Sequence, residues 1–181
     1  MAGKAYTDEE KAKNTIHLKG LLEQLPPFCY TYFRGISQTT SVKTRMGYAY
    51  DLKVFFGFLC AEHKDFKGVK FEDIRPEDLE MVNSEDIEEF LDYVSIYSPY
   101  NDEDGICGKE TILNSESAKA RKLAAVRSMY KYYLRKGYIS TNPAALVDTP
   151  KIHDKNIIRL EANEVANLLD EVETGENLTE R

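Results

Sequence analysis

Lys119, Arg121, Lys122, Arg127, Lys131, Arg135 and Lys136 fall within 18 residues, and no Asp or Glu occurs from Ser117 to Val147. A run of cations with no carboxylate among them suits one task well, the binding of a polyanion. Lys and Arg gain by displacing counterions from phosphates, and an ordinary solvated helix mixes its signs. At 100° per residue, Ser117, Ala120, Arg121, Ala124, Ser128, Lys131 and Arg135 share one sector of a helix, with Arg127 at its edge. Small residues there let a groove wall come close to the backbone. A second cationic group, Lys43 and Arg45 flanking Thr44, stands where a helix should begin. Cations oppose the helix dipole at that end, and a partner phosphate would reverse the cost. A basic surface that meets only water would carry the same residues.

Other chemistries find little support. His17, His63 and His153 stand in no metal-ligand spacing, and no P-loop, GxGxxG or GxSxG is present. Cys29, Cys60 and Cys107 form no CxxC and fit a reducing, cytoplasmic compartment. The acidic stretch Asn101 to Gly105 faintly resembles a calcium loop, but Tyr100 and Thr111 would fill its first and twelfth positions. No catalytic residue, metal or cofactor is expected. The longest apolar run, Val54 to Ala61, is far too short to span a membrane.

The net charge of -7 hides strong segregation. Residues 111–160 carry ten Lys and Arg against three Asp and Glu, whereas residues 60–110 carry five against sixteen. One basic and one acidic face would account for this.

The elements that position these residues read as helices. Thr7-Asp8-Glu9-Glu10 has capping-box form and predicts a helix from about Asp8 to Gln24, stopped by Pro26-Pro27. Phe28 to Gly35 predicts a short helix burying Phe28, Tyr32 and Phe33. A long central helix is expected over 42–63, with Ala49, Leu52, Phe56 and Leu59 as its stripe and Tyr48 and Phe55 beside it. Pro76 opens a short helix, RPEDLEMV, and Asn83 or Ser84 caps another running to about Tyr97. The outer face of that helix is acidic, with Glu85, Glu88, Glu89 and Asp92. Residues 98–114 read as a loop. The basic helix spans Ser115 to Lys136, capped by Ser115 or Ser117 and ended by Gly137. Leu123, Val126, Tyr130, Tyr133 and Leu134 should face its core. Asn142-Pro143-Ala144 predicts a turn, residues 150–159 a linker, and Leu160 to Val172 a last helix. The fold class is all-α: a compact bundle of four to five helices, with an extra N-terminal helix and a C-terminal linker plus helix.

Five short patterns, in order, resemble one family. They are Thr44-x-x-x-Tyr48-x-x-Asp51-Leu52-x-x-Phe55-x-x-Phe58-Leu59; Ile74 with Asp86-Ile87-x-x-Phe90-Leu91; the run Ala120 to Tyr130; Asn142-Pro143-Ala144 with Pro150-Lys151; and Leu160-Glu161-x-x-Glu164-Val165-x-x-Leu168-Leu169. Together they resemble the N-terminal core-binding, SAM-like domain of tyrosine recombinases, the phage-integrase family, and most closely integrases of bacterial mobile elements or Xer-type resolution enzymes. The resemblance implies an N-terminal extension over 1–27, a DNA-binding domain over 28–149, and a linker with the first helix of a catalytic domain over 150–181. It implies that the second and fourth helices of the domain meet the major groove of double-stranded DNA. The residues concerned are Lys43, Thr44, Arg45, Ser117, Lys119, Arg121, Lys122 and Arg127, with Lys131 added from the cationic sector. It also implies a tetramer on two DNA sites for the full-length protein, with the fragment expected to be monomeric. Strand cleavage by a tyrosine would lie in the catalytic domain. The Thr-Gly-Leu-Arg turn that carries the family's first catalytic arginine has no counterpart in Thr174-Gly175-Glu176-Asn177, so this chain is expected to end before the catalytic centre and to be inactive alone. The alternative is a helical interaction domain that docks an acidic protein through the same basic helix.

Overall fold

The computed structural model describes residues 2–97, 112–151, 165–167 and 169. It is an all-α bundle. Helix α1 (Ala2–Leu22) packs along α3 (Val42–Glu62), the central element, which also packs against α5 (Glu116–Lys136); α2 (Cys29–Gly35) sits against α5.

Helix α1 begins five residues before Thr7, so the Thr7 capping box is not used. Ala2 to Tyr6 holds no proline, and Ala and Lys favour a helix, offsetting Gly3. At the other end the last turn tightens, with Gln24 N–H donating to Leu21 O (3.1 Å) and Leu25 N–H to Leu22 O (3.2 Å). The helix closes at Leu22, short of the expected Gln24, as the chain tightens into 3-10 bonds ahead of Pro26, which has no N–H to give Leu22 O. Leu18, Leu21, Leu22 and Leu25 are buried, and α1 is pinned to α3 by a His17–Tyr50 hydrogen bond (2.7 Å) and by Lys53 donating to Gln24 (2.8 Å).

Helix α3 has the stripe the sequence predicts, and Ser41 caps it. Ser41 Oγ accepts from Thr44 N–H at 3.1 Å, and Ala49, Leu52, Phe55, Phe56, Phe58 and Leu59 are buried. Asp51 is buried among them. Helix α2 buries Cys29, Tyr32 and Phe33, while Phe28 sits half-buried just before it, edge-on to Phe56 (5.8 Å) and Tyr133 (5.4 Å). Tyrosines of α5 add hydrogen bonds to carbonyls there: Tyr133 donates to Phe28 O (2.8 Å) and Tyr132 to Thr31 O (3.1 Å). Gly35 is required by this approach, since a Cβ on it would overlap the Tyr132 ring.

The segment RPEDLEMV forms a 3-10 turn, Pro76–Met81, rather than an α-helix. Asp78 binds back to Arg75 N–H (2.7 Å), and Tyr130 donates to Leu79 O (3.1 Å), which fixes the turn against α5. Helix α4 (Ser84–Tyr93) starts in a full capping box between Asn83 and Asp86. It stops four residues short of the expected Tyr97. Ile96–Tyr97 (β1) pairs antiparallel with Ile112–Leu113 (β2), and Asn114 closes the junction by donating from Nδ2 to Val94 O at 2.7 Å. Ile and Tyr favour the extended state, and a short hairpin wins over one more helical turn. The rest of the expected loop lies outside the described residues.

Helix α5 runs from a Ser115 cap to Gly137, which takes the left-handed conformation (φ 76°). Leu123, Val126, Tyr130 and Tyr133 are buried as expected, joined by Met129, Tyr132 and Lys122. Leu134 is not: it is exposed at the end of the bundle. The chain returning past Gly137 covers Tyr133 instead, through Tyr138. Asn142-Pro143-Ala144 opens a 3-10 turn, Pro143–Ala145. Residues 165–167 and 169 are helical; the remainder of the expected last helix lies outside the described residues. No helix among the described residues is long and apolar enough to cross a membrane.

Candidate nucleic-acid interface

Helices α3 and α5 meet at Asp51, and that carboxylate organises the candidate face. Asp51 is 1 % exposed. Its Oδ2 accepts from Arg121 Nη1 at 2.5 Å, and its Oδ1 lies 3.8 Å from Lys122 Nζ. Burial pushes the Asp51 carboxyl up to about 6, with Arg121 and Lys122 pulling against that rise. Burial lowers Lys122, with Asp51 opposing the shift. The two cations differ in their surroundings. Lys122 is buried and also donates to Asn114 Oδ1 at 3.3 Å. The Arg121 side chain is 51 % exposed, with Nη1 also reaching Gly47 O at 3.4 Å.

The other cations of α5 divide in the same way. Lys119 donates to Ser95 Oγ (3.3 Å) and pairs with Glu116 (2.7 Å), with little of its side chain left in water. Arg127 reaches across to the segment after the helix. Its Nε donates to Ala144 O (2.9 Å), Nη1 to Thr149 Oγ1 (2.7 Å) and Nη2 to Val147 O. Lys131 and Arg135 are exposed, and Arg135 and Lys136 lie over the Tyr132 ring, each 5.9 Å from its centroid. Ser117 and Ala124 are exposed, and Ser128 Oγ accepts the Tyr32 hydroxyl (2.9 Å), which bounds this surface on the α2 side.

On α3, Thr44 lies one turn before Gly47 and so shares the face that Arg121 crosses. Its hydroxyl hydrogen-bonds Ser41 Oγ at 2.8 Å. Lys43 pairs with Glu10 of α1 at 2.7 Å. Arg45 is half-buried, and its Nε has no partner among the described residues. Lys43 and Arg45, with Glu10 and Ser41, border a hollow of about 430 Å³ between α1 and the start of α3.

Of the nine residues singled out from sequence, Thr44, Ser117, Arg121 and Lys131 therefore present exposed groups on α3 and α5, Lys43 does so from within an ion pair, and Arg45 is half-buried. Lys119, Lys122 and Arg127 spend their charge inside the fold. The sequence also offered a signal for Asp51, which stands in the family pattern above without a role. Asp51 is the only carboxylate between Glu23 and Glu62, set beside Leu52 in the most apolar helix. A lone acid in such a place has a buried cation as its natural partner.

Three curated proteins place this architecture among known ones. The chain is 32% identical over 146 residues to a tyrosine recombinase XerC from Caldanaerobacter subterraneus subsp. tengcongensis, a stretch covering 78% of this chain and 38% of the relative. The match is to a tyrosine recombinase N-terminal region. XerC from Chlorobaculum parvum is 31% identical over 134 residues, 74% of this chain and 33% of that protein. XerC from Pelobacter propionicus is 39% identical over 62 residues, 34% of this chain and 20% of that protein. The chain thus spans under two fifths of the length of these recombinases. No protein-family model matches it, and no solved structure does.

Proposed function

We propose that this chain is the DNA-binding region of a site-specific tyrosine recombinase. It lays the outer face of α5 and the first turn of α3 into a major groove, while a further catalytic domain of the whole protein cuts and rejoins the strands. The observation that carries the reading is the conjunction of XerC relatives with exposed Arg121, Lys131 and Arg135 on a helix face that holds no carboxylate. The double helix presents closely spaced phosphates to such a face, and exposed cations along it can each meet one. Residues 28–149 form the DNA-binding unit in this reading, and 150–181 lead into the catalytic domain. The working assembly is a tetramer on two DNA sites. The commitments inside the fold narrow the contact set: Arg121, Lys131, Ser117, Thr44 and Lys43 meet DNA, whereas Lys119, Lys122 and Arg127 hold the surfaces that present them.

Titration of the chain into random-sequence duplex DNA at low salt tests this. Saturable binding that acidic polypeptides of equal charge fail to displace is the expected result. Binding of the acidic polypeptide alone would hand the face to a protein partner and overturn the reading.

A further inference from the structure

Arg121 differs from every other cation of α5 in how it is held. Both Nη1 protons are committed, one to the buried Asp51 carboxylate at 2.5 Å and the other, at longer range, to Gly47 O at 3.4 Å. The Nε and Nη2 protons have no partner among the described residues, and half the side chain is in water. The guanidinium is planar, so fixing one nitrogen against a carboxylate that cannot move fixes the plane of the whole group. What remains outside is a two-donor edge with set orientation. Ala124 and Ser117, one turn to either side, are too short to cover it, and Gly47 opposite supplies only backbone.

A phosphate contact needs none of this. Lys131 is exposed with no anchor among the described residues, which is sufficient for a point charge that follows a phosphate. A rigid edge with two parallel donors fits a rigid pair of acceptors. In a major groove that pair is guanine O6 and N7. We propose that Arg121 reads one guanine of the recombination site, and that buried Asp51 is its positioning residue. The proposal rests on the DNA-binding reading above and adds the base and the residue that selects it.

The test uses the full chain and a duplex pool randomised over about 12 base pairs, with bound sequences recovered and read. The wild type is expected to enrich one G·C pair. Replacing that guanine by 7-deazaguanine, which lacks the N7 acceptor, should weaken wild-type binding by roughly 5- to 150-fold. The same replacement should cost Arg121→Ala nothing. Asp51→Asn should keep the salt dependence of binding and lose most of the guanine preference, because a neutral amide holds the guanidinium loosely. Lys131→Ala should keep the preference and weaken all sequences alike. The 7-deazaguanine comparison needs only the wild-type protein, so a poorly folded Asp51 variant would not blunt it. Binding with no guanine enriched, or a guanine preference that survives Arg121→Ala, overturns this assignment and leaves the DNA-binding reading standing. No binding to any duplex overturns both.

Discussion

At the scale of single residues, Asp51 and Gly35 carry the sharpest expectations. The folded state raises the Asp51 carboxyl from its ordinary 3.8 to about 6, so it holds the proton more tightly than the unfolded chain does. Stability from this group is fully present below about pH 4 and is lost as pH rises through about 6. Asp51→Asn removes that loss. Urea melts across this range should show the wild type falling relative to the variant by on the order of 2–3 kcal/mol. A wild type that gained on the variant over the same window would contradict the account of a desolvated carboxyl. Gly35 lies under the Tyr132 ring, so Gly35→Ala forces the ring or the helix to shift. A loss of about 1–3 kcal/mol in melts is expected. An unchanged midpoint would mean the contact is slack. Neither residue's particular partner was legible from local pattern. The partners of Asp51 lie 70 positions away in α5, and Tyr132 lies nearly a hundred from Gly35. Sequence spacing along one helix shows the sign of a charge and the face it shares. It does not show which charges are already spent.

At the scale of elements, the ends that local chemistry sets were readable, and those set by tertiary partners were not. Ser41, Asn83 and Ser115 cap the helices they precede, and Gly137 ends α5 in the left-handed conformation that glycine takes without strain. The early end of α4 was not readable, because the competing state is a two-residue strand whose mate lies beyond 14 intervening residues. The turn Pro76–Met81 was readable as helical, while its 3-10 form depends on Asp78 and on the hydroxyl of Tyr130. Arg127 binds α5 to the segment after it, where its guanidinium satisfies two backbone carbonyls and Thr149. Arg127→Ala should cost about 1–3 kcal/mol, since those carbonyls lose a charged donor. Amide exchange should quicken at Ala145 and Leu146, whose N–H groups close the turn on Asn142 O and Pro143 O. Exchange unaltered there would show that the turn stands without its arginine.

At the scale of the whole molecule, the net charge of -7 and the binding of a polyanion are compatible because charge is segregated by element. Helix α4 carries exposed Glu88, Glu89 and Asp92, and α5 carries exposed Arg121, Lys131 and Arg135. The Debye length at physiological salt, about 8 Å, is short enough that each face acts largely on what touches it. The order of helices and the sign of each face could be read directly from the chain. The narrowing of nine candidate residues to a smaller exposed set required the interior hydrogen bonds. The proposed binding of duplex DNA by α5 through phosphates is tested most directly by the salt dependence of binding for the wild type, Lys131→Ala and Arg127→Ala. Log affinity is expected to fall steeply and linearly with log salt, with a slope reduced by roughly one unit in Lys131→Ala and nearly unchanged in Arg127→Ala. A slope untouched by Lys131→Ala, or binding indifferent to salt, would contradict it.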